Sequence, residues 1–269
     1  MTTPVKRTGM IGLGAMGLQM ARHMAKKGFE VSGFDVSTEV MSKAKANDIA
    51  TVGSSAEVGQ RSEVVVIMVA TGEQVEEVIT GSLLGKLAAG SVICIASSVS
   101  PELCQRMDKL AAEKGCGVLD TPVVLGQEAA DNGQLVIYTG GDEKWVERAR
   151  PALESFGRVM HLGGVGTGQI AKTINNLLLW SCMCANYEAL TFAKKIGADI
   201  PKLIAALGEG SGANWSLSRW GKSTGKWAEK DMDVALEMAQ DAKMPVPLSG
   251  LVDQMVKSIN QEKMKALLS

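Results

Sequence analysis

Thr8-Gly9-Met10-Ile11-Gly12-Leu13-Gly14-Ala15-Met16-Gly17 is the stretch that decides how this chain folds. Residues 8–11 read as a short apolar strand and residues 16–27 as a helix, so the glycines fall on a strand-to-helix turn. Gly12 would make the tight turn, Gly14 would let the backbone approach a pyrophosphate, and Gly17 would permit close helix–strand packing. The anion would rest on the helix N-terminus, with Leu13, Ala15 and Met16 completing the loop. In a chain with 30 glycines that spacing is a weak signal alone. Its place between a strand and a helix is what makes it specific.

An acid completes the fingerprint. Asp35 stands 18 residues beyond Gly17, after a second strand-like run at 30–34. A carboxylate there accepts hydrogen bonds from adenosine ribose hydroxyls and repels a 2′-phosphate. No arginine follows in Val36-Ser37-Thr38, so the expectation is NAD, with NADP disfavoured by Asp35.

Farther out, strand-like runs at 64–69, 91–96, 117–119 and 135–139 alternate with helical ones at 38–46, 73–79 and 101–114. Such alternation indicates βαβ units and a mainly parallel sheet. After His161 the strand signal stops. Residues 166–196 read as one long helix, followed by helical pieces at 203–207, 233–242 and 248–259. The predicted fold is therefore α/β. A Rossmann-type dinucleotide-binding domain (1–162) precedes an all-helical substrate and oligomerisation domain (163–269), and the long helix joins them. The glycine-rich run 163–166 marks the junction.

Composition narrows the function. The 269 residues are 46% hydrophobic with a net charge of −1, which provides core but no field to attract nucleic acid or an anionic membrane. The most apolar stretch, residues 177–185, is far short of the roughly 20 residues a membrane span needs. Five cysteines form no CxxC pair, and the two histidines lie far apart, so no metal site is expected. The odd cysteine count predicts a reducing, cytoplasmic setting.

A second constellation opens the long helix: Gly166-x-Gly168-x-x-x-Lys172-x-x-Asn175-Asn176. Residues four apart share a helix face, so Gly168, Lys172 and Asn176 line up with Asn175 beside them. Gly168 would leave room for a flat ring or substrate. Lys172 would exchange the hydroxyl proton of an alcohol as general acid/base, while Asn176 holds that hydroxyl. The plainer reading is a solvated lysine and two helix-start asparagines. The apolar turns that follow predict a helix buried nearly all round, where such polar groups need partners.

With these motifs in order, the sequence resembles the β-hydroxyacid dehydrogenase family, which includes 3-hydroxyisobutyrate dehydrogenases and tartronate semialdehyde reductases. The likeness spans nearly the whole chain through four stretches. They are residues 9–17, Asp120-Thr121-Pro122-Val123, residues 166–176, and Lys230-Asp231 before an apolar helix. The resemblance implies NAD-dependent interconversion of a small hydroxy acid or related alcohol with its aldehyde or ketone, at a cleft between the domains. Lys172 would be the acid/base and Asn176 a substrate ligand. Val69 and Ala70 would lie beside the dinucleotide, Ser98 at the nicotinamide ribose and substrate, and Lys230 near the nicotinamide. A homodimer or homotetramer formed through the helical domains is implied as well.

The chain departs from the family in the substrate loop. Where the family pattern continues Ser-Gly-Gly, this sequence has Val124-Leu125-Gly126, losing a hydroxyl and adding an apolar branch. Gln127 would be the candidate to compensate. The family's C-terminal tail is absent after Ser269, and Trp215, Trp220 and Trp227 are candidates to wall the pocket or to pack the helical domain. A larger or less acidic substrate is the expectation. Two other functions stay open: imine or reactive-aldehyde reduction on the same scaffold, and a non-catalytic dinucleotide-binding module.

Overall fold

The computed structural model describes residues 4–222 and 225–269, and the chain divides into two compact units, Met1–Lys172 and Thr173–Ser269. The first unit opens with β1 (Arg7–Ile11), α1 (Ala15–Lys26), β2 (Glu30–Phe34), α2 (Thr38–Lys45), β3 (Ala50–Thr51) and α3 (Ser55–Arg61). It continues through β4 (Val64–Ile67), α4 (Gly72–Val78) with a π-helical turn (Ile79–Leu83), β5 (Val92–Ile95) and α5 (Pro101–Ala112). Then come β6 (Gly117–Asp120), β7 (Val123–Val124), α6 (Gly126–Asn132), β8 (Leu135–Gly140), α7 (Glu143–Leu153) and β9 (Gly157–Gly163). Helix α8 (Thr167–Lys195) starts in this unit and runs into the next.

The strands of the described residues form one sheet in the order β3-β2-β1-β4-β5-β6-β8-β7, with β9 alongside β8. From β3 to β6 every pairing is parallel; β8 runs antiparallel to β6 and β7. The chain order reverses direction across the sheet between β1 and β4, and in such sheets ligands bind beyond the strand C-termini at that switch. Strands β4 and β5 are buried at every position, as expected of parallel strands covered on both faces. Their side chains alternate between two cores. Val64, Val66, Val92 and Cys94 join one, while Val65, Ile67, Ile93 and Ile95 join the other.

Local chemistry starts the helices. Ser37, Ser54, Ser100 and Asp142 accept backbone N–H groups at the starts of α2, α3, α5 and α7, and Thr71 with Gln74 closes a capping box on α4. Sequence periodicity had not disclosed β3, β7, α3, α6, α7 or β9. These are two-residue pairings, seven-residue helices, a charged helix carrying Pro151, and a strand that is largely exposed. None presents a long enough one-sided apolar pattern to be read locally. The sheet also extends past His161, to Gly163.

The second unit continues α8 and adds α9 (Ile200–Gly208), α10 (Trp215–Ser218), α11 (Ala228–Asp241), α12 (Pro247–Val256) and α13 (Gln261–Ala266). Helix α11 begins five residues ahead of the expected 233, so Lys230 lies within its first turn. Its core collects Trp180, Met183 and Leu190 of α8 with Trp220, Met232, Val252 and Met264. Trp220 packs inside, its indole N–H donating to the Met264 carbonyl at 3.1 Å, whereas Trp215 and Trp227 are exposed. Helix α8 is not buried all round as its composition suggested. Ile174, Leu178 and Phe192 on it, and Ile196 just past its end, are exposed apolar side chains among the described residues.

Candidate active site

The glycine loop joins β1 to α1, and each glycine has its own reason. Gly12 has φ +86°, and a Cβ there would collide with the Met68 carbonyl at the end of β4. At Gly17 a Cβ would collide with the Gly12 carbonyl, so α1 can approach the strand only without a side chain. A Cβ on Gly14 would meet nothing within 4 Å, leaving that side of the loop open to a ligand. No acidic residue occupies the first turn of α1, so its N-terminal dipole is available to an anion. These features fit a dinucleotide pyrophosphate.

Asp35 ties the loop to the end of β2. Its carboxylate accepts the Leu13 N–H at 2.8 Å and the Ser37 N–H at 2.9 Å. A cavity of about 530 Å³ adjoins it, lined by residues that include Phe34, Asp35, Thr38, Met41 and Lys45. Beyond β4, the Val69 N–H donates to Ser97 Oγ at 2.8 Å and the Ser97 hydroxyl donates back to the Val69 carbonyl at 2.9 Å. The Ala70 N–H donates to Gln74 Oε1 at 2.9 Å. Ser98, half-buried, follows the buried Ser97.

The start of α8 is held by a buried acid. Asp120, fully buried at the end of β6, accepts the Gly166 N–H at 2.7 Å and the Gln169 N–H at 2.8 Å. Burial pushes its carboxyl above the usual range, and the N–H bonds from Gly166, Gln169 and Gly168 oppose that shift. A helix N-terminus has orphan N–H groups, and Asp120 supplies their acceptor from another strand. Gly168 is glycine because a Cβ would lie 2.6 Å from the Tyr138 carbonyl and 2.7 Å from Asp120 Oδ2. The space expected there for a flat ring is filled by protein.

Gln169 extends the same junction. Its side-chain oxygen accepts the Val99 N–H at 3.2 Å, and its amide donates to the Ser97 carbonyl at 2.8 Å. One glutamine thus connects α8 to the loop after β5. Neither Asp120 nor Gln169 was assigned a role from sequence. The detectable signal was a buried helix start with no cap in its own run, which implies an acceptor elsewhere.

Lys172 follows three residues later. Half-buried, it donates from Nζ to the Val123 carbonyl at 2.9 Å. The fold therefore brings Lys172 against the loop that carries Val124, Leu125 and Gly126. Val124 is buried, Leu125 is partly exposed at φ +82°, and Gly126 follows at φ +73°. The Gln127 amide donates to the Ala15 carbonyl at 3.1 Å and to Asp131 at 2.8 Å. In the second unit Asn176 is buried and accepts the Asn175 amide at 3.1 Å, and Asp231, next to Lys230, accepts the Trp180 indole N–H at 3.0 Å. Among the described residues no cluster of metal-ligating side chains occurs, and no helix is long and apolar enough to cross a membrane.

A parallel sheet with its switch at a glycine turn, an acid after the second strand and an open helix N-terminus define a dinucleotide-binding protein. Residues 7–165 match the family model described as the NAD binding domain of 6-phosphogluconate dehydrogenase. Residues 166–267 match the one described as NAD-binding of NADP-dependent 3-hydroxyisobutyrate dehydrogenase. The chain belongs to the β-hydroxyacid dehydrogenase family, whose cofactor is NAD(P). It is 31% identical to a 2-(hydroxymethyl)glutarate dehydrogenase of Eubacterium barkeri, over 97% of this chain and 93% of that one. It is 32% identical to a 3-hydroxyisobutyrate dehydrogenase of Pseudomonas aeruginosa, over 90% and 88%. Among solved structures, a Mycobacterium tuberculosis 3-hydroxyisobutyrate dehydrogenase with L-serine superposes with a TM-score of 0.89 at 25% identity, covering 98% and 100% of the two chains.

Proposed function

We propose that this protein is an NAD-dependent dehydrogenase that interconverts a small hydroxy acid and its aldehyde or ketone, with Lys172 as the acid/base. The observation that carries this reading is the 2.9 Å hydrogen bond from Lys172 Nζ to the Val123 carbonyl, which holds a half-buried amine against the expected substrate loop. A carbonyl can orient an amine in either protonation state, so Lys172 can take the hydroxyl proton in oxidation and return it in reduction. When bound, the nicotinamide accepts or supplies the hydride. The chain's share is to orient the substrate, move that proton and limit access of water.

Residues 12–17, Asp35, Val69, Ala70, Ser98 and Lys230 are assigned to the dinucleotide. Ser98, residues 124–126, Asn175 and Asn176 are assigned to the substrate. Residues 1–162 are read as the dinucleotide-binding domain and residues 163–269 as the helical substrate and oligomerisation domain, with individual residues of each reaching both ligands. Asp35 supports NAD over NADP, because its carboxylate is fixed by the Leu13 and Ser37 amides and would face a 2′-phosphate with like charge. The exposed apolar side chains of Ile174, Leu178, Phe192 and Ile196 support a homo-oligomer built on helices of the second unit. Five free thiols support a reducing compartment such as the cytoplasm.

The test is NADH formation from a panel of 3-hydroxy acids by the wild type and by Lys172→Ala. Turnover that depends on the lysine supports the reading. Equal turnover by both proteins removes Lys172 from the chemistry.

A further inference from the structure

Residues 123–127 are pinned at both ends. At one, the Val123 carbonyl accepts Lys172 Nζ at 2.9 Å; at the other, Gln127 reaches the Ala15 carbonyl at 3.1 Å. Ala15 opens the helix that follows the glycine loop. Residues 124–126 therefore run from the acid/base to the dinucleotide loop.

Leu125 sits in that span with φ +82° and ψ 1°. Among the described residues three others than glycine have positive φ, namely Asp48, Leu125 and Lys243, and Leu125 alone has a purely apolar side chain. A leucine in this conformation crowds its own backbone. Burial does not compensate the strain, since Leu125 is 38% exposed while Val124 before it is 6%. Strain held without a packing benefit marks a position where the side chain meets a ligand. From Val123 to Gly126 no side chain carries a hydrogen-bond donor. A second carboxylate lying there would lose water and find no side-chain donor to replace it, whereas an alkyl or aryl group would gain contact.

We infer that Leu125 determines specificity, selecting hydroxy acids with an apolar substituent over those with a second carboxylate. The inference rests on the dehydrogenase reading above. Its test compares the wild type, Leu125→Ala and Leu125→Gly on 3-hydroxypropanoates that bear isopropyl, phenyl or carboxyethyl at carbon 2. Alanine removes the branched group and keeps the strained backbone; glycine removes both. The wild type prefers the apolar substituents. Both variants lose about tenfold or more of that preference in kcat/KM, with the KM for NAD unchanged. Only the glycine variant melts higher, by roughly 2–4 °C. A wild type that favours carboxyethyl, or a ranking that survives in both variants, overturns the inference alone. A wild type that binds NADH and turns over no hydroxy acid overturns the dehydrogenase reading and this inference with it.

Discussion

The backbone N–H of Gln169 donates to the buried carboxylate of Asp120 at 2.8 Å, so the helix carrying Lys172 is anchored to the end of a central strand. A side chain that starts a helix in this way also sets the direction in which its first turns project. Lys172 lies one turn onward.

Asp120→Asn exchanges one acceptor for an N–H that faces the Gly166 or Gln169 amide. It is expected to lower stability by about 1–3 kcal/mol. It should also reduce kcat by roughly 10–100-fold through misplacement of Lys172, with little change in the KM for NAD. Denaturant melts and steady-state kinetics read both. A stable variant with unchanged kcat would show that the anchor does not position the lysine.

Gln169→Leu leaves the Val99 N–H and the Ser97 carbonyl without their side-chain partner. The expected loss is again about 1–3 kcal/mol, with lower amide-hydrogen protection (faster exchange) at residues 97–99 as the local signature. Protection equal to wild type would mean the loop after β5 does not depend on α8.

Lys172→Ala should lower kcat by roughly 10²–10⁴-fold while NADH affinity, read by fluorescence titration, stays within a factor of about two. Asp35→Ala separates a different function. Its ratio of kcat/KM for NAD over NADP should fall by about tenfold or more, because the charge facing a 2′-phosphate is gone. An unchanged ratio would place cofactor choice elsewhere.

Glu63 gives a pH prediction. Burial pushes its carboxyl up. The Lys6 and Arg7 amides and the Arg7 and Arg148 guanidiniums outweigh that push, and its net value is below the usual glutamate range. A depressed folded-state value means the stabilisation is complete above the ordinary glutamate value and is lost as the pH falls through the depressed one. Glu63→Gln should therefore melt lower than wild type at neutral pH, with the two curves converging in acid. A constant gap across the acid range would contradict that linkage.

How much was legible in advance follows from the range of each interaction. The glycine loop and Asp35 could be read because a turn, a strand and a helix start lie within about one βαβ unit. That the sheet would be mainly parallel followed from the alternation of strands and helices, whereas its strand order and the short β3 came only with the structure. Lys172 was singled out as a candidate by its spacing along one helix. The bond from Gln127 to Ala15 could not be read in advance because the two lie 112 residues apart. Composition also misjudged α8: Ile174 and Leu178 are apolar yet exposed, and nothing local distinguishes a core stripe from an exposed one.

The sequence by itself determined the class of sheet and the glycine turn between its first strand and helix, and it singled out Lys172 and Asp35 as candidates, because local spacing and residue chemistry suffice for these. Only the tertiary structure decided that Asp120 would anchor α8, that Gln169 would bridge to the loop after β5, and that Leu125 would be held in left-handed backbone. Each depends on partners or constraints brought from distant strands, and a buried donor or acceptor discloses its partner only once the chain has closed around it.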